Sequence, residues 1–549
     1  MQTVNVKHTA ACYLLLLAAY VGGAFVPLMN NDSAHHANIA LYIYQTGEWT
    51  RLVTQGQDYF DKPHLLFWLA AASFKVFGVN AFAYKLPSLL FSLLAVYATT
   101  RLGQLLHTVA VGRLAGIVLA SALAFVLANN DVRMDALLTG SIMLATWQLA
   151  AFVASEEREQ GRWRHLVLGG LGLALGFATK GMIGVGMPLI AIFVHLLYRR
   201  DWARLLDVRW LALGLITLAF ASPVLYAYYQ QFGERGVKFI LWAQNVERLS
   251  GERFGKAGAD DPLFFVHSFL WAFLPWALLA IWAVCSDGVR LIRARLQLLA
   301  GDEMLTLGTI VVMFGVISLS NFKLPHYLNI LLPFFAIQLA AWLVPRLAHP
   351  VSRKRLWWVQ AVAIFVLALL ALALNGWVFP LHDPLLAVGA VVLAAAGAWL
   401  IYRQAAGARL VMASVSVAAL FNLLLNFNCY PQLLSYQGGT VLGQQALALG
   451  LDRERLYYLE HQGRANSFDF VTARLTPTLT LAEFSRFAAP VVVYTSTSGR
   501  TALEAAGLAV EELARSADFR VSRLNPRFLD PARRAQTLET VYLLRVGGQ

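Results

Sequence analysis

Carboxylates that could act as a general base stand in the polar segments between long apolar runs of this sequence. Asp32 lies in N-N-D-S-A-H-H-A, directly after the first apolar run. A carboxylate at the mouth of a helix bundle is able to remove a proton from an acceptor hydroxyl. The alternative is that Asp32 or Ser33 caps a short amphipathic helix at the membrane interface, which the spacing of the following apolar residues predicts.

A second pair of acids flanks an arginine in N-N-D-V-R-M-D-A-L-L, where Asp131 and Asp135 stand one helical turn apart at the start of an apolar run. Acids at a helix N-terminus are favourable to the helix dipole, so capping alone would explain them. Arg133 lies between them in a segment that holds few other basic residues. This composition indicates a structured polar site at the membrane surface.

Basic residues recur in the segments that we expect on the same face. Lys62 follows Asp61 in D-Y-F-D-K-P-H-L-L-F-W, and Lys323 lies in N-F-K-L-P-H-Y. A single such lysine is explained as a snorkelling cation, and Asp61 as an ordinary acid at a helix start. Several cations at the depth of a lipid phosphate instead indicate anion binding. Further cations are Lys180 in T-K-G, and Arg248, Arg253 and Lys256 in the segment 243–256.

Metal and nucleotide motifs are absent from the sequence. No pair of histidines has the i, i+4 spacing of metal ligands together with a third partner, so we interpret the histidines as interfacial or core residues. The three cysteines are far apart and show no ligand spacing. The chain has neither a P-loop nor a Rossmann fingerprint. The histidines concerned are His35, His36, His64, His267 and His326.

The composition requires the bilayer as solvent for most of the chain. Hydrophobic residues make up 58% of the 549 residues and charged residues 14%, which is too apolar for soluble domains. The net charge of +13 comes from basic clusters between apolar runs. That arrangement is typical of cytoplasmic loops, so we expect membrane lipids and no nucleic acid as partners.

Runs of about 17 to 25 apolar residues predict about thirteen membrane-spanning helices. The first run, at residues 10–28, lacks a convincing cleavage site, and we expect it to be a retained helix. Basic residues concentrate in the even-numbered connections, which we place in the cytoplasm. The long segments 30–84 and 231–264 and the tail then lie outside. The predicted spans begin near residues 10, 85, 110, 134, 166, 182, 208, 265, 304, 326, 356, 385 and 409.

From about residue 430 the composition becomes that of a soluble domain. Strand-like runs at 456–459, 490–494 and 540–546 alternate with helical stretches such as 502–514. We therefore predict two units: a transmembrane domain at 1–429, with interfacial helices in its first outer loop at 30–84, and a small extracytoplasmic α/β domain at 430–549.

The motifs together resemble one class of glycosyltransferases, the protein mannosyltransferase/aminoarabinose transferase class. The similarity extends in order over nearly the whole membrane part of the chain. Its elements are Asp32 after the first span, D-K-P-H-L-L-F-W at 61–68, A-Y-K-L-P-S at 83–88, R-M-D-A-L-L at 133–138, K-G at 180–181, N-V-E-R at 245–248, F-L-P-W at 273–276 and K-L-P-H-Y at 323–327.

This resemblance implies the GT-C fold, an all-α polytopic membrane bundle with interfacial helices and an outer C-terminal domain. It implies that Asp32 is the essential first-loop acid and Asp135 the second recurring acid, so we predict both as catalytic. Lys62 and Arg248 match positions expected to contact the donor's phosphate. To the same donor-binding group we assign Arg253, Lys323, Tyr59, Lys85 and Arg133.

Two departures from the class concern the first loop and the metal. The loop reads D-S-A-H-H-A in place of the more usual D-E-x-x-Y-A, and Asn245 stands where aminoarabinose transferases have a histidine that helps to hold a metal. Asp61 keeps the acid of that site. A divalent ion bound by Asp61 is therefore the one cofactor that the sequence leaves open.

We predict transfer of a single sugar from a polyprenyl-phosphate donor to a lipid, glycan or protein at the outer face of a bacterial inner membrane. Inversion follows if the transfer is one displacement, and aminoarabinose addition to lipid A is one example. An oligosaccharide ligase or polymerase of the same fold stays open as an alternative. A lipid or solute transporter is disfavoured, because transporters usually place ionisable residues at the bilayer midplane or show repeated halves.

Overall fold

The computed structural model of the protein describes residues 6–155, 159–243, 258, 260–297, 303–487 and 489–547. Apolar helices dominate it as far as residue 434, and their leucine, alanine and phenylalanine side chains form one large buried cluster. The first helices are α1 Val6–Ala24, α2 Asp32–Thr46, α3 Leu65–Phe77, α4 Ala81–Leu106, α5 Val109–Ser121, α6 Leu123–Asn130, α7 Asp135–Ala154, α8 Glu159–Lys180, α9 Met182–Arg199, α10 Trp202–Leu205 and α11 Arg209–Lys238.

The second half of the bundle continues the pattern. Its helices are α12 Phe264–Ala272, α13 Ala277–Arg293, α14 Leu305–Ser318, α15 Leu332–Ala348, α16 Pro350–Ala373, α17 Pro384–Arg403, α18 Ala406–Leu424 and α19 Tyr430–Leu434. A 3-10 helix, Pro325–Ile330, connects α14 to α15, and π-helical turns extend α11, α16 and α18 at Phe239–Ala243, Leu374–Val378 and Leu425–Cys429.

The described residues hold seven helices that are long and apolar enough to cross a membrane, or eight if the bent pair α5 and α6 counts as one span. A polytopic helical bundle is therefore confirmed. The predicted number of about thirteen spans is not, because several of the predicted spans are short helices, such as α14 and α15, or are interrupted. The span predicted from residue 265 is divided into α12 and α13.

Close backbone approach fixes the part of the bundle that carries the site. A Cβ at Gly176 on α8 would lie 2.8 Å from the carbonyl oxygen of Gly184 on α9. Four residues earlier, a Cβ at Gly172 would lie 2.6 Å from the backbone nitrogen of Ala145 on α7. Small residues at this spacing let membrane helices approach closely. Helix α8 is thereby held against both neighbours, and its C-terminal residue Lys180 has a defined position.

The first outer segment folds into α2, a short antiparallel hairpin of β1 Val53–Thr54 and β2 Gln57–Asp58, and α3. The cap of α2 is Asn31, whose Oδ1 accepts a hydrogen bond from the Ser33 amide at 2.8 Å. The prediction that Asp32 or Ser33 caps this helix is therefore wrong. Asp32 is the first residue of the helix, and its carboxylate is available for other contacts.

The C-terminal region covers the first outer segment. The Asn38 side chain on α2 donates to the Asn466 carbonyl at 2.9 Å, and Gln45 donates to the Ala473 carbonyl at 2.9 Å. Phe470 packs against Phe74 of α3, with ring centroids 6.1 Å apart. Most of α2 is buried as a result. The tail and the first loop thus lie at the same end of the bundle.

The C-terminal region contains a mixed five-stranded sheet in the order β4-β3-β5-β7-β6. Strands β4 and β5 flank β3 in parallel, while β7 runs antiparallel to both β5 and β6. The bounds are β3 Leu456–Leu459, β4 Thr478–Leu479, β5 Val491–Ser496, β6 Ala509–Asp518 and β7 Glu539–Gly547, with helices α20 Gly438–Ala448, α21 Asn466–Thr472, α22 Thr497–Ala505 and α23 Pro526–Leu529.

The three predicted strands of this sheet are confirmed, but the helix predicted at 502–514 is correct only as far as Ala505 and wrong beyond it. Helix α22 ends at Ala505, and Gly507, at φ +75°, allows the chain to turn. The following residues then pair with β7 as strand β6. Alanine, leucine and glutamate favour a helix locally, but hydrogen bonding to the sheet edge overrides that preference.

Candidate active site

Side chains from five segments, four of which contribute charged groups, line one cavity of about 150 Å³ at the end of the bundle that the C-terminal region covers. The segments are the start of α2, the loop before α3, the loop before α7, the end of α8 and the segment that leads into the 3-10 helix. We name this the outer cavity. It is lined by Asp32, His36, Asp61, Lys62, Arg133, Met134, Asp135, Lys180, Phe322, Leu324 and His326.

Arg133 joins two carboxylates at the rim of the outer cavity. One guanidinium nitrogen lies 3.2 Å from Asp32 and the other 3.0 Å from Asp131. Asn31 also donates to Asp131, at 3.0 Å. Burial would raise the pKa of Asp32, but Arg133 and the neighbouring basic groups outweigh it and hold that pKa below its usual value. Asp32 is therefore ionised at neutral pH, and its side chain is 58% exposed.

Asp61 and Lys62 form a second ion pair, with the ammonium 2.6 Å from the carboxylate oxygen. Both side chains line the outer cavity, and that of Lys62 is the more buried of the two. Phe60, directly before Asp61, packs against Phe239 at the end of α11, with 4.2 Å between the ring centroids. This contact anchors the loop to α11. The loop thereby presents an acid and a cation together.

Asp135 and Lys180 form the deepest pair of the outer cavity. The Lys180 ammonium lies 3.4 Å from the Asp135 carboxylate, and these side chains are 13% and 5% exposed. The ammonium also stands over the Tyr327 ring, 4.9 Å from its centroid. Gly181, at φ +68°, ends α8 directly after the lysine. Because a residue with a side chain rarely adopts that conformation, this glycine permits the sharp connection to α9.

Two histidines complete the wall of the outer cavity. Burial lowers the pKa of His36 to about 3 and that of His326 to about 4. Both rings are therefore neutral at pH 7, and each is able to hydrogen-bond a polar ligand through a ring nitrogen. The ring of His36 stands beside Tyr59 and Phe67, which fix it from behind.

Three residues that we assigned to the donor from the sequence do not line the outer cavity. Tyr59 contacts His36 from behind, with 3.4 Å between the hydroxyl and Nε2. Lys85 is fully buried and donates to the Gly23 and Val26 carbonyls at the end of α1, at 2.9 and 2.7 Å. Lys323 points away from the cavity and donates to the Asp261 carbonyl at 2.9 Å. Arg248 and Arg253 lie outside the described residues.

The described residues offer no set of three histidine, cysteine, aspartate or glutamate side chains that could hold a metal ion. Asp61, the candidate ligand, is engaged by Lys62. Asn245, where the resembling class has a histidine, lies outside the described residues. The described donor set does not fit a divalent ion, and we derive no chemical step through one.

Sequence reasoning did not place three polar residues of the outer cavity in the catalytic, donor-binding or metal-binding groups: Lys180 was only one of several cations expected on this face, and His36 and His326 were interpreted as interfacial or core residues. Lys180 was recognisable as a lysine at a helix junction, and His326 as part of K-L-P-H-Y. These three side chains converge because the end of α8 and the start of the 3-10 helix lie at the same depth in the bundle as the first outer segment. No local pattern contains that information.

An apolar groove of about 540 Å³ lies between α8, α9 and α11. Phe177 and Met182 line it and stand on either side of Lys180 in the sequence, so the groove begins beside the outer cavity. Its α9 wall runs from Met182 to Leu196, a length of about 21 Å at 1.5 Å per residue. The lining is almost entirely leucine, isoleucine, valine, phenylalanine and methionine, which suits a hydrocarbon chain.

Comparisons with known proteins agree with the sequence motifs. The family described as dolichyl-phosphate-mannose-protein mannosyltransferase matches residues 61–227. The undecaprenyl phosphate-alpha-4-amino-4-deoxy-L-arabinose arabinosyl transferase of Pseudomonas paraeruginosa is 27% identical over 273 residues, which are 48% of this chain and 48% of the relative. The enzyme of the same description from Aeromonas salmonicida is 28% identical, over 46% of this chain and 44% of the relative. The chain thus matches about half the length of these relatives.

Among solved structures, the chain is similar to ArnT from Cupriavidus metallidurans. The TM-score is 0.74 with the crystal structure bound to undecaprenyl phosphate and 0.72 with the apo crystal structure, at 17% identity in both. Each comparison covers 98% of this chain and 97% of that one. The predicted fold class, a GT-C type helical bundle with a small C-terminal sheet region, is confirmed by this likeness.

Proposed function

We propose that this chain transfers a single sugar from a polyprenyl-phosphate donor to an acceptor at the outer face of a bacterial inner membrane. The observation that carries the proposal is the outer cavity, where an accessible carboxylate and three cations meet beside an apolar groove. In this proposal residues 1–429 form the transferase domain, and residues 430–549 form a periplasmic domain over the site.

The donor is a long isoprenoid with an anionic head, and the site offers a complement to both parts. The apolar groove takes the chain, because it is lined by hydrocarbon side chains and two of them, Phe177 and Met182, stand on either side of Lys180 in the sequence. The head takes its charge-assisted hydrogen bonds from Lys62, Arg133 and Lys180. Arg248 belongs to the same group by resemblance, and Arg253 is assigned to it as a further cation of the same sequence segment. The relatives' names and the ligand of the similar crystal structure favour undecaprenyl phosphate as the carrier.

The transfer is one displacement at the anomeric carbon of the donor sugar. The acceptor hydroxyl oxygen forms the new bond to that carbon, and its proton passes to the Asp32 carboxylate. The old bond to the phosphate oxygen breaks, and its electron pair stays on the polyprenyl phosphate, where the cations stabilise the added charge. Asp135 holds Lys180 in position within the site. Attack from the face opposite the leaving group inverts the anomeric centre.

The size of the outer cavity supports transfer of one sugar. Its volume of about 150 Å³ holds on the order of ten water-sized spheres, and a preassembled glycan would need more room. The acceptor is a lipid, a glycan or a protein with a free hydroxyl. For a phosphate acceptor, which is already ionised, no base is required and Asp32 would orient the sugar. Lipid A is the example that the aminoarabinose transferases favour.

The test is transfer of radiolabel from a panel of polyprenyl-phosphate sugars into total membrane acceptors by the purified, reconstituted protein. We expect label in one acceptor class from the wild type and none from Asp32→Asn at equal expression. Label that moves only as an intact oligosaccharide would favour a glycan ligase. No transfer from any donor of the panel would contradict the proposal.

A further inference from the structure

A second polar cavity, of about 200 Å³, lies at the opposite end of the bundle. Helix α4 connects the two ends: Lys85 near its start is bonded to the outer end of α1, and the helix ends at Leu106, about 32 Å from Lys85 at 1.5 Å per residue. We name this the inner cavity. It is lined by His107, Asp287, Arg290, Leu291, Glu303, Leu307, Gln338, Ala341, Trp342 and Arg346.

The inner cavity carries equal numbers of acids and guanidinium groups. Asp287 accepts a hydrogen bond from Gln338 at 2.6 Å and lies 3.6 Å from Arg290. Glu303 accepts from the Thr306 amide at 2.9 Å. The charges of Asp287 and Glu303 balance those of Arg290 and Arg346, so the cavity as a whole attracts neither a simple anion nor a simple cation.

One hydrogen-bond donor of the inner cavity is buried without a partner. Trp342 lines the cavity and is 4% exposed, and its Nε1 has no hydrogen-bond partner among the described residues. A buried N–H group without an acceptor costs stability, so such groups are rare and call for an explanation. Arg346 stands over the same ring, 4.2 Å from its centroid. The cation therefore stacks on the face of the indole that carries this N–H.

We propose that the inner cavity binds the head group of a zwitterionic aminophospholipid, a lipid that carries a phosphate diester and a primary ammonium. The phosphate accepts hydrogen bonds from Trp342 Nε1 and from the guanidinium groups of Arg290 and Arg346. The ammonium donates to Glu303 and Asp287. Asp287 and Glu303 lie 3.6 Å from Arg290 and His107, respectively, so an anionic head group would bring a further negative charge to these acids with no ammonium to balance it. A choline head group has no N–H to donate to them.

The position of the inner cavity fits a lipid source for this ligand. The charge pattern of the sequence places this end of the bundle at the level of the cytoplasmic lipid head groups. A tryptophan beside an arginine is also typical of the membrane interface. The volume holds on the order of ten water-sized spheres, which is enough for a phosphoethanolamine group.

The experiment measures lipid binding to the full chain by native mass spectrometry. Phosphatidylethanolamine, phosphatidylcholine and phosphatidylglycerol with identical acyl chains are titrated separately. We expect phosphatidylethanolamine to bind about tenfold more tightly than the other two. Trp342→Phe, which keeps the ring and removes the N–H, and Arg346→Gln should each weaken that binding about five- to tenfold, as expected for the loss of one charge-assisted hydrogen bond.

Matched controls exist on α17, where Arg403 stands over Trp399 at 5.0 Å in the same i, i+4 arrangement but does not line the inner cavity. Trp399→Phe and Arg403→Gln should leave phosphatidylethanolamine binding unchanged. Thermal unfolding verifies that all four variants fold. The proposal would be overturned if the three lipids bound equally or if phosphatidylglycerol bound most tightly. It would also be overturned if both pairs of variants lost phosphatidylethanolamine binding equally.

Competition with soluble compounds distinguishes whether the inner cavity recognises a lipid head group or only a phosphate. Glycerophosphoethanolamine should displace the bound phosphatidylethanolamine, and inorganic phosphate at the same concentration should not. Displacement by both would show that the ammonium makes no contribution, and the assignment of Glu303 and Asp287 as its acceptors would be wrong. Neither measurement uses sugar transfer, so the result is independent of the function proposed for the outer cavity.

Discussion

The Arg133 guanidinium lies 3.2 Å from the Asp32 carboxylate, although about a hundred residues separate them in the chain. The loop before α7 therefore sets the position of the acid at the start of α2. Because the Asp32 side chain is 58% exposed, this ion pair adds little to folding stability. Its effect is on the orientation and the pKa of the carboxylate that we propose as the base.

Asp32→Asn should abolish most sugar transfer. The amide keeps the shape of the side chain but cannot take the acceptor's proton, so we expect kcat to fall about 10²- to 10⁴-fold, the usual contribution of a general base. Thermal unfolding should change little, because Asn31 and not Asp32 caps the helix. The measurement is the initial rate of transfer with purified protein at saturating donor.

The matched control for this change is Glu48→Gln. Glu48 is an exposed acid of the same outer segment, where it accepts a hydrogen bond from Tyr42 and pairs with Arg51. Its replacement should leave the transfer rate within a factor of about two. A similar rate for Asp32→Asn and for the wild type would contradict the assignment of the base.

Arg133→Gln should move the acid limb of the pH–rate profile to higher pH. The pKa of Asp32 lies below its usual value because Arg133 and its neighbours outweigh the effect of burial. Without the guanidinium the carboxylate is protonated at a higher pH, and the base is lost earlier on acidification. The measurement is kcat/KM for transfer between about pH 4 and pH 8, the range around an ordinary carboxyl pKa.

Arg51→Gln serves as the control, since Arg51 pairs with Glu48 and Asp58 outside the outer cavity. Its profile should coincide with that of the wild type. If both arginine variants shift the limb equally, or if neither does, Arg133 does not set the pKa of Asp32.

The sequence was sufficient to predict the class of fold and most of the acids and cations of the outer cavity. Asp32, Asp61, Lys62, Arg133 and Asp135 stand in polar segments between apolar runs, and that contrast is visible without a structure. Their convergence could be expected because alternating spans return these segments to one face. The strands β3, β5 and β7 were recognisable for a similar reason, as short β-branched or aromatic runs.

Other features depend on tertiary contacts that no local pattern encodes. Lys85 and Lys323 look like interfacial cations, but backbone carbonyls of neighbouring segments hold both. Asn31 caps α2, while Asp32 is the first residue of the helix and pairs with Arg133. The number of spans was also beyond local reasoning, since broken and short apolar helices have the same composition as spanning ones.

Breaking the buried pair of Asp135 and Lys180 should destabilise the protein more than removing both charges. Lys180→Met leaves a carboxylate in a site where it is 5% exposed, and removal of one partner of a buried pair costs about 3 kcal/mol or more. The double variant Asp135→Asn with Lys180→Met leaves no isolated charge. Unfolding measurements on both should show a substantial recovery in the double variant.

Transfer activity separates the structural role of Lys180 from its role in donor binding. The double variant should remain at least tenfold less active than the wild type, because the donor head has lost a cation. A double variant that regains both stability and full activity would show that Lys180 serves only to neutralise Asp135.

His326→Gln should reduce the loss of stability on acidification. Burial lowers the pKa of His326 to about 4 in the folded protein, while an unfolded chain has a histidine pKa of about 6.5. Between these values the unfolded state binds a proton that the folded state does not, so the free energy of unfolding falls as the pH drops. From pH 7.5 to pH 5 the histidine should account for about 1 to 2 kcal/mol of that loss.

The comparison is made by unfolding the wild type and the variant in detergent at both pH values. His461→Gln is the control, because the His461 side chain is 87% exposed and should alter neither value. An equal pH dependence in the wild type and in His326→Gln would show that His326 is protonated as easily in the folded protein as in the unfolded chain.

Gly214→Phe should impair the use of long-chain donors through the apolar groove. Gly214 lines the groove on α11, and a Cβ there would meet no atom within 4 Å, so the new ring enters the groove without straining the helix. We expect KM for a full-length polyprenyl-phosphate sugar to rise about tenfold, equivalent to about 1.4 kcal/mol of lost contact. A donor with a chain of only two or three isoprene units does not extend along the groove, and its KM should not change. The control is Gly389→Phe, because Gly389 is a similarly open position on the lipid-facing helix α17, and it should change KM for neither donor. An equal rise in KM for both chain lengths in Gly214→Phe would place the isoprenoid elsewhere.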